Sequence, residues 1–243
     1  MYWESNVTTT INLLQTMSKF NCKTIVFSSS ATIYDQKNNC KIDEKQNLKP
    51  INPYGKTKLA IEQILNDIYE KSKDWNIANL RYFNPIGAHE SGIIGEDPKG
   101  KPSNIYPSIT QVAIGKSNKI SIFGSNWPTN DGTAIRDYIH VMDLAEGHLV
   151  AFEYLKKNKG QLINVNLGTG KGTSVLELIN TFQNVNKVKI PFEYAQKRQG
   201  DYGVVVADNS LAIKLLGWKP KRTIEDMCRD GWKWQVNNPE GFI

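Results

Sequence analysis

The chain alternates between segments in which apolar residues recur every three to four positions and short runs that are apolar throughout. The first helical stripe consists of Val7, Ile11, Leu14 and Met17. The β-branched run at 24–28 predicts a buried strand, and the run at 77–83 predicts another. Alternating helices and strands of this kind predict a right-handed, mostly parallel α/β sheet.

Between these strands the pattern predicts a second helix, which begins at Pro53 after a linker at 35–52. Proline suits the first position of a helix because the amide hydrogen that it lacks would be unpaired there. Apolar residues continue the helical spacing at Leu59, Ile61, Ile64, Leu65 and Ile68.

From about residue 85 the chain becomes richer in glycine, proline and asparagine, and its predicted strands become shorter. The elements predicted here are strands at 119–123, 138–141 and 162–165, helices near 173–184 and 209–216, and a helix that carries Trp232 and Trp234. Loop-rich composition with short strands is typical of a smaller lobe that holds a substrate. The predicted fold class is therefore α/β, with a parallel sheet and a smaller C-terminal lobe.

Length and composition narrow the function classes. The 243 residues suffice for one or two domains with a hydrophobic core. No apolar run approaches 18 residues and the start is too polar for a signal peptide, so we expect no membrane association. The net charge of +6 comes from dispersed lysines, and no nucleic-acid-binding module is visible, which leaves a phosphate-bearing small molecule as the expected partner. Reduced cytosolic thiols are expected at Cys22, Cys40 and Cys228.

Three polar side chains suggest chemistry. Ser30 ends the first predicted strand region, and Tyr54 and Lys58 lie four residues apart, so the phenol and the ammonium share one helix face. A nearby lysine cation favours the phenolate, which predicts a lowered pKa for Tyr54. Together the three groups can move a proton on and off an alcohol while it is oxidised, which points to hydride chemistry on a nicotinamide.

Other motifs are interpreted as structural. Tyr69 and Lys73 repeat the tyrosine–lysine spacing, but no serine-ended strand precedes them at a comparable distance, so they predict a surface pair. The glycine cluster at 168–174 has the context of a dinucleotide-binding loop but not its spacing, which would need glycine at Thr173. A tight turn before a helix capped by Thr173 or Ser174 is the preferred interpretation. Structural roles are also expected for His89, His140 and His148.

Several segments, in order along the chain, carry a resemblance to one family. They are Ser28–Thr32, Pro53–Lys58, Leu80–His89, Gly95–Pro98, Asp131–Ala145 and Arg198–Asp201. By these segments the chain resembles, from Tyr2 to its carboxyl end, the UDP-hexose 4-epimerases of the extended short-chain dehydrogenase/reductase family. The segments at 81–89 and 131–145 distinguish these epimerases from most related dehydratases and decarboxylases.

The resemblance implies sites for NAD and for a UDP-sugar. Ser30, Tyr54 and Lys58 are expected to be catalytic and, with Phe83, to contact NAD. The residues expected to bind the substrate are Thr32, Asn84, Asn104, Ser121, Ile122, Phe123, Arg136, Arg198, Asp201 and Val205. Among them, the two arginines would clamp the diphosphate, whose oxygens match the guanidinium fork. No metal is expected.

By the same resemblance, the expected activity is the reversible interconversion of UDP-glucose and UDP-galactose through a 4-keto intermediate. The expected setting is galactose metabolism, as a cytoplasmic homodimer. Residues 1–84 would form the C-terminal part of an NAD-binding Rossmann domain. Residues 85–243 would form mainly the UDP-sugar-binding lobe, with segments that return to the Rossmann domain. The expected fold is an incomplete Rossmann-type parallel sheet with a smaller C-terminal α/β lobe.

One family feature has no counterpart in the chain. The Rossmann domain of the family begins with a glycine-rich turn that binds the NAD pyrophosphate. The chain starts at Met1–Glu4, inside what would be a later helix, so about 90 residues are expected to be missing at about 30 per βα unit. A non-catalytic fragment, or a half that works only with a complementary chain, is therefore an alternative. An epimerase of UDP-N-acetylhexosamines is another, because Val205 is small.

Overall fold

The computed structural model describes residues 2–35, 41–100 and 102–242, so Cys40 and part of the linker at 35–52 lie outside the described residues. The helices are α1 Thr9–Lys19, α2 Pro53–Lys71, α3 Ile105–Ala113, α4 Val141–Lys157, α5 Val175–Asn186, α6 Ser210–Leu216 and α7 Ile224–Asn237. The strands are β1 Thr24–Ser30, β2 Asn76–Tyr82, β3 Asn84–Ile86, β4 Ile120–Phe123, β5 Ile135–Arg136, β6 Tyr138–His140, β7 Leu162–Leu167, β8 Thr173–Ser174, β9 Phe192–Ala195 and β10 Val204–Val205. A π-helical segment, Trp3–Thr8, precedes α1.

The helices and strands predicted from the sequence are present, with ends that differ by a few residues. β1 runs to Ser30 because its serines continue the pairing with β2, up to the pair Ser30 and Tyr82. α5 begins at Val175 because Ser174 caps it: Ser174 Oγ accepts from the Glu177 amide at 3.0 Å, and the Glu177 carboxylate accepts from the Ser174 amide at 3.2 Å. The interpretation of 168–174 as a turn before a capped helix is confirmed.

Contacts within the chain divide it into two compact units. Unit 1 comprises Met1–Phe83, Ala145–Leu167 and Ala207–Lys219. Unit 2 comprises Asn84–Leu144, Gly168–Val206 and Pro220–Ile243. That the first part of the chain binds NAD and the second a UDP-sugar stays a prediction. In the described part of the chain, no helix is both long and apolar enough to cross a membrane.

Unit 1 contains a parallel sheet with the strand order β1-β2-β7. The middle strand is buried from Asn76 to Arg81, as expected for a parallel strand that is covered on both faces. The helices pack on this sheet through a cluster of apolar residues, namely Leu14, Ile61, Leu65, Trp75 and Ile77. The prediction of a parallel α/β sheet is confirmed.

Unit 2 is built from short strands and three helices that share one apolar core. Its sheets have the strand orders β10-β5-β8, β3-β6 and β4-β9. Phe182 on α5 lies at the centre of the core and meets Tyr106 of α3 and Trp232 of α7 edge to face, with ring centroids 6.1 Å and 5.7 Å away. Edge-to-face aromatic contacts of this kind add to the stabilisation that comes from apolar burial.

The core of unit 1 gives a stability prediction. Leu65 on α2 is fully buried, with 0% of its surface exposed, so Leu65→Ala should lower the free energy of unfolding by about 2–5 kcal/mol through lost burial and a residual cavity. Leu149→Ala on α4 is the matched control, because Leu149 is 60% exposed and its loss should change the value by less than about 0.5 kcal/mol. Urea unfolding of both variants measures the difference, and equal effects would contradict the packing described for Leu65.

Candidate active site

Local sequence explains why α2 begins beside the carboxyl end of β1. Asn52 caps the helix by accepting from the Gly55 amide at 2.7 Å, and Pro53 takes the first helical position. A Cβ atom at residue 55 would lie 2.7 Å from the carbonyl oxygen of Thr32, closer than such atoms can approach. Only glycine permits this contact, and the contact places Tyr54 next to the end of β1.

The structure brings Ser30, Tyr54 and Lys58 together in unit 1. Ser30 Oγ accepts from the Thr32 amide at 3.2 Å and from the Thr32 hydroxyl at 3.0 Å, and the Ser30 hydroxyl acts to lower the pKa of Tyr54. Lys58 Nζ donates to the carbonyl oxygen of Ser28 at 2.9 Å and lies 5.5 Å from the centroid of the Tyr54 ring. Thr32 thus lies within the cluster and contacts Ser30 directly.

The predicted lowering of the Tyr54 pKa is wrong in this structure. Burial of the phenol, with a smaller contribution from Tyr82, raises the pKa of Tyr54 to about 12, although Ser30 acts to lower it. Burial also lowers the pKa of Lys58. Desolvation disfavours the charged forms of both groups. The sequence interpretation considered the charge of the lysine but not the burial of the phenol.

Tyr82 is a member of this cluster that the sequence interpretation missed. Its hydroxyl raises the pKa of Tyr54, and Tyr54 in turn acts to lower the pKa of Tyr82, although burial raises the pKa of Tyr82 overall. Parallel pairing of β1 with β2 puts Tyr82 opposite Ser30, and this register is fixed by the structure rather than by the sequence of either strand. The Tyr82 ring also lies 6.4 Å from the ring of His148, and His148 Nε2 lies 2.8 Å from Ser28 Oγ.

Phe83 and the second tyrosine–lysine pair complete unit 1. Phe83 directly follows β2, is 6% exposed, and donates its amide to the Leu167 carbonyl at 3.1 Å. Tyr69 is half-buried, and its hydroxyl donates to the Gly160 carbonyl at 3.0 Å. It is therefore less exposed to solvent than the expected surface pair would be. Lys73 is exposed, 4.2 Å above the Tyr69 ring.

Unit 2 contains a cavity of about 420 Å³. Ligand pockets in proteins commonly measure about 300–1,000 Å³, so the cavity suits a nucleotide-sized ligand. Among the residues expected to bind the substrate, those that line it are Asn84, Asn104, Ser121, Ile122, Phe123, Arg136, Arg198 and Asp201. Thr32 belongs to unit 1.

The cavity carries two guanidinium groups held in different ways. Arg136 Nη1 donates to the carbonyl oxygens of Ile135 and Tyr202, both at 2.9 Å, and burial lowers the pKa of Arg136. Arg198 is about half exposed, donates from Nε to Asp201 Oδ2 at 2.9 Å, and lies 4.7 Å from the Phe123 ring. A positive, partly dehydrated wall of this kind favours a phosphate-bearing ligand.

Backbone pairing fixes the surroundings of Arg136. Val205 pairs with Arg136 in parallel register and is 6% exposed, so its side chain is buried in the strand region. Asp137, which directly follows Arg136, is fully buried and accepts from the amides of Thr169 and Gly170 at 2.8 Å and 2.9 Å. Because Asp137 occupies these turn amides, they do not serve as a phosphate cradle.

Comparisons with known proteins cover nearly the whole chain. A family model described as GDP-mannose 4,6 dehydratase matches residues 1–231. The chain is 51% identical over 242 residues to a UDP-glucose 4-epimerase of Cyamopsis tetragonoloba, a match that covers 99% of this chain and 68% of that protein. It is also similar to a crystal structure of UDP-glucose 4-epimerase from Bifidobacterium longum in complex with NAD+ and UDP, with 44% identity, a TM-score of 0.93, and coverage of 99% and 71% of the two chains. A structure from Stenotrophomonas maltophila with bound NAD and formylated UDP-arabinopyranose matches with 46% identity, a TM-score of 0.94, and coverage of 98% and 70%.

The buried phenol predicts a pH dependence of stability. The pKa of Tyr54 is about 12 in the folded protein and about 10 in an unfolded chain, so folding holds its proton more tightly. The resulting stabilisation is fully present below pH 10 and is lost as the pH rises from about 10 to about 12. In Tyr54→Phe the free energy of unfolding should therefore fall less steeply across this range, as measured by urea unfolding at several pH values. An unchanged slope would contradict the burial of this phenol.

Proposed function

Because this chain belongs to the family of the UDP-glucose 4-epimerases, we propose that it interconverts UDP-glucose and UDP-galactose with NAD as its cofactor. The observation that carries the proposal is the cluster of Ser30, Tyr54 and Lys58 in unit 1. There a serine hydroxyl acts to lower the pKa of a phenol, and an ammonium lies on the same helix face as that phenol. Such groups transfer a proton to and from a sugar hydroxyl during oxidation and reduction.

The residues of unit 1 fit the nicotinamide end of NAD. Lys58 Nζ has three donors, and its contact with the Ser28 carbonyl uses one of them, so the ammonium has capacity for ribose hydroxyls. Phe83 offers an apolar ring at the end of β2. When bound, NAD supplies the redox step by accepting a hydride from the sugar and returning it.

Tyr54 is proposed to take the proton of the sugar hydroxyl at carbon 4 and to return it in the second half of the reaction. Two neighbouring hydroxyl groups act on the pKa of its phenol in opposite directions. Ser30 lowers this pKa and so favours the phenolate, whereas Tyr82 raises it and favours the protonated form. Tyr54 thus lies between one group that favours its phenolate and another that favours its protonated form.

Unit 2 is proposed to hold the UDP part of the substrate. The guanidinium groups of Arg136 and Arg198 pair with diphosphate oxygens, and Asp201 accepts from the uridine ribose. While UDP is held, the 4-keto sugar rotates about its diphosphate link and presents its other face for reduction. This positioning is the contribution of the protein, because it keeps the reactive intermediate bound in both orientations.

The proposed setting is galactose metabolism in the cytoplasm, with the protein acting as a homodimer. Cys22 and Cys228 are free cysteines, as is usual in reducing compartments. Exposed apolar side chains on and next to α1 support a dimer, since association would remove them from water: Ile11 is 38% exposed, Leu13 50% and Phe20 73%.

The proton-transfer role predicts a specific kinetic defect. Tyr54→Phe removes the titrating hydroxyl and keeps the ring, so turnover of UDP-galactose should fall about 10²–10⁴-fold. The dissociation constant for UDP, measured by calorimetry, should not change, because the nucleotide cavity is lined by residues of unit 2. The assay follows the interconversion of the two UDP-sugars by the purified protein with added NAD.

Tyr69→Phe on the same helix is the matched control, and its turnover should stay close to that of the wild type. Equal losses at both positions would contradict the role of Tyr54. A wild-type protein that binds UDP but does not interconvert the sugars would instead favour the non-catalytic alternative.

A second substrate class is proposed from the size of Val205. By the family resemblance this position closes the sugar pocket, where valine leaves more room than a large aromatic residue. The alternative is that Val205, which is 6% exposed and not among the residues that line the nucleotide cavity, is simply a core residue of β10. We therefore expect UDP-N-acetylhexosamines to be converted as well, and Val205→Tyr to remove only that activity. Chromatography of both reactions measures the effect. Failure of the unmutated protein to convert the N-acetyl sugar would show that the pocket argument is wrong.

A further inference from the structure

Helix α2 carries a third side chain on the face that holds Tyr54 and Lys58. Glu62 follows Lys58 by four residues, as Lys58 follows Tyr54, so the three lie along one face. All three contact the last residues of β1. The contacts are those of Tyr54 with Ser30, of Lys58 with the Ser28 carbonyl, and of Glu62 with the Ser29 hydroxyl.

We propose that Glu62, held by Arg81, is a positioning residue that aligns the catalytic face of α2 with β1 through the Ser29 hydroxyl. This inference rests on the proposed role of Tyr54 in proton transfer. Glu62 does not act on the substrate in this proposal. It fixes Ser29, and through the next residue it fixes Ser30 against Tyr54.

The contacts of Glu62 are fully enclosed. Ser29 Oγ donates to Glu62 Oε1 at 2.5 Å. Arg81 binds both carboxylate oxygens, with Nε 3.0 Å from Oε1 and Nη2 2.6 Å from Oε2. The exposed fractions are 0% for Ser29, 5% for Glu62 and 3% for Arg81. Because both oxygens are bound away from water, the carboxylate has one defined orientation.

Arg81 is itself held from its other side. Its Nη1 donates to the Tyr34 hydroxyl at 3.0 Å, and Tyr34 donates to Asn166 Oδ1 at 2.7 Å. Ser29, Arg81 and Asn166 pair across β1, β2 and β7 as one row of the sheet. The next row contains Ser30 and Tyr82, so a row of buried hydrogen bonds directly precedes the row that contacts Tyr54.

Stability alone does not account for this arrangement. Removing two charges from water is costly, and apolar residues of similar volume often replace a buried ion pair with no loss of stability. An apolar pair, however, cannot accept a hydrogen bond from the Ser29 hydroxyl. The distinctive contribution of Glu62 is therefore a hydrogen bond of defined direction, which connects α2 to Ser29 of β1. Arg81 balances the charge of the carboxylate.

Ser29→Ala tests the inference because it removes the hydroxyl and leaves the ion pair in place. We expect kcat to fall about 10- to 100-fold, as for a small displacement of reacting groups, with the KM for UDP-galactose and the thermal unfolding midpoint unchanged. Hydrogen exchange at the Thr32 amide, which donates to Ser30 Oγ, should become faster. Ser72→Ala is the control, because Ser72 bonds Asp74 at the surface. Wild-type kcat and exchange in Ser29→Ala would overturn the inference.

The double variant Glu62→Leu/Arg81→Met separates positioning from structural pairing. Its thermal unfolding midpoint should stay close to that of the wild type, because both charges are removed together. Its kcat should stay low, since Ser29 has lost its acceptor. Recovery of wild-type kcat in this variant would overturn the inference.

Failure of the proposed function can be told apart from failure of this inference. If the wild-type protein does not interconvert UDP-sugars, the proposed function is wrong. Exchange at the Thr32 amide in Ser29→Ala then decides alone: faster exchange supports the positioning role of Glu62, and unchanged exchange overturns it.

Discussion

The close approach of α2 to the end of β1 is the constraint on which the site of unit 1 depends. At residue 55 a single added carbon atom would collide with the Thr32 carbonyl, so the helix can begin here only with glycine. The Asn52 cap and Pro53 fix where the first turn starts. Every contact of Tyr54, Lys58 and Glu62 with β1 follows from this start, because helix geometry sets the later positions.

Burial competes with the influence of neighbouring polar groups at the ionisable side chains of unit 1. Burial raises the pKa of Tyr54 to about 12 and lowers the pKa of Lys58, so neither side chain is charged more easily than in water. Burial is the largest influence on both groups, so it favours the neutral form of each. Ser30 and Tyr82 have opposite influences on the same phenol, and burial decides the outcome in favour of the protonated form.

Unit 2 uses strand alternation to divide two tasks between neighbouring residues. Arg136 and Tyr138 line the cavity, whereas Asp137 between them is buried and holds the turn at Thr169 and Gly170. Successive side chains of an extended chain point to opposite sides, so one short segment serves both the cavity wall and the adjacent turn. The buried carboxylate thereby stabilises the backbone beside the guanidinium proposed to bind phosphate.

The sequence by itself determined the parallel sheet, the start of α2 at Pro53 and the shared face of Tyr54 and Lys58, because periodicity, capping and helical spacing are local properties. It did not determine the protonation state of Tyr54. The presence of Lys58 alone suggested that the phenolate would be favoured. Nor did it reveal Tyr82 or the Glu62–Ser29 contact. Those features join residues that lie 28 or more positions apart, as in the pairs Tyr54–Tyr82 and Ser29–Glu62. Only the tertiary structure decided them, because desolvation and hydrogen bonding depend on which distant groups are packed together and on how much water they exclude.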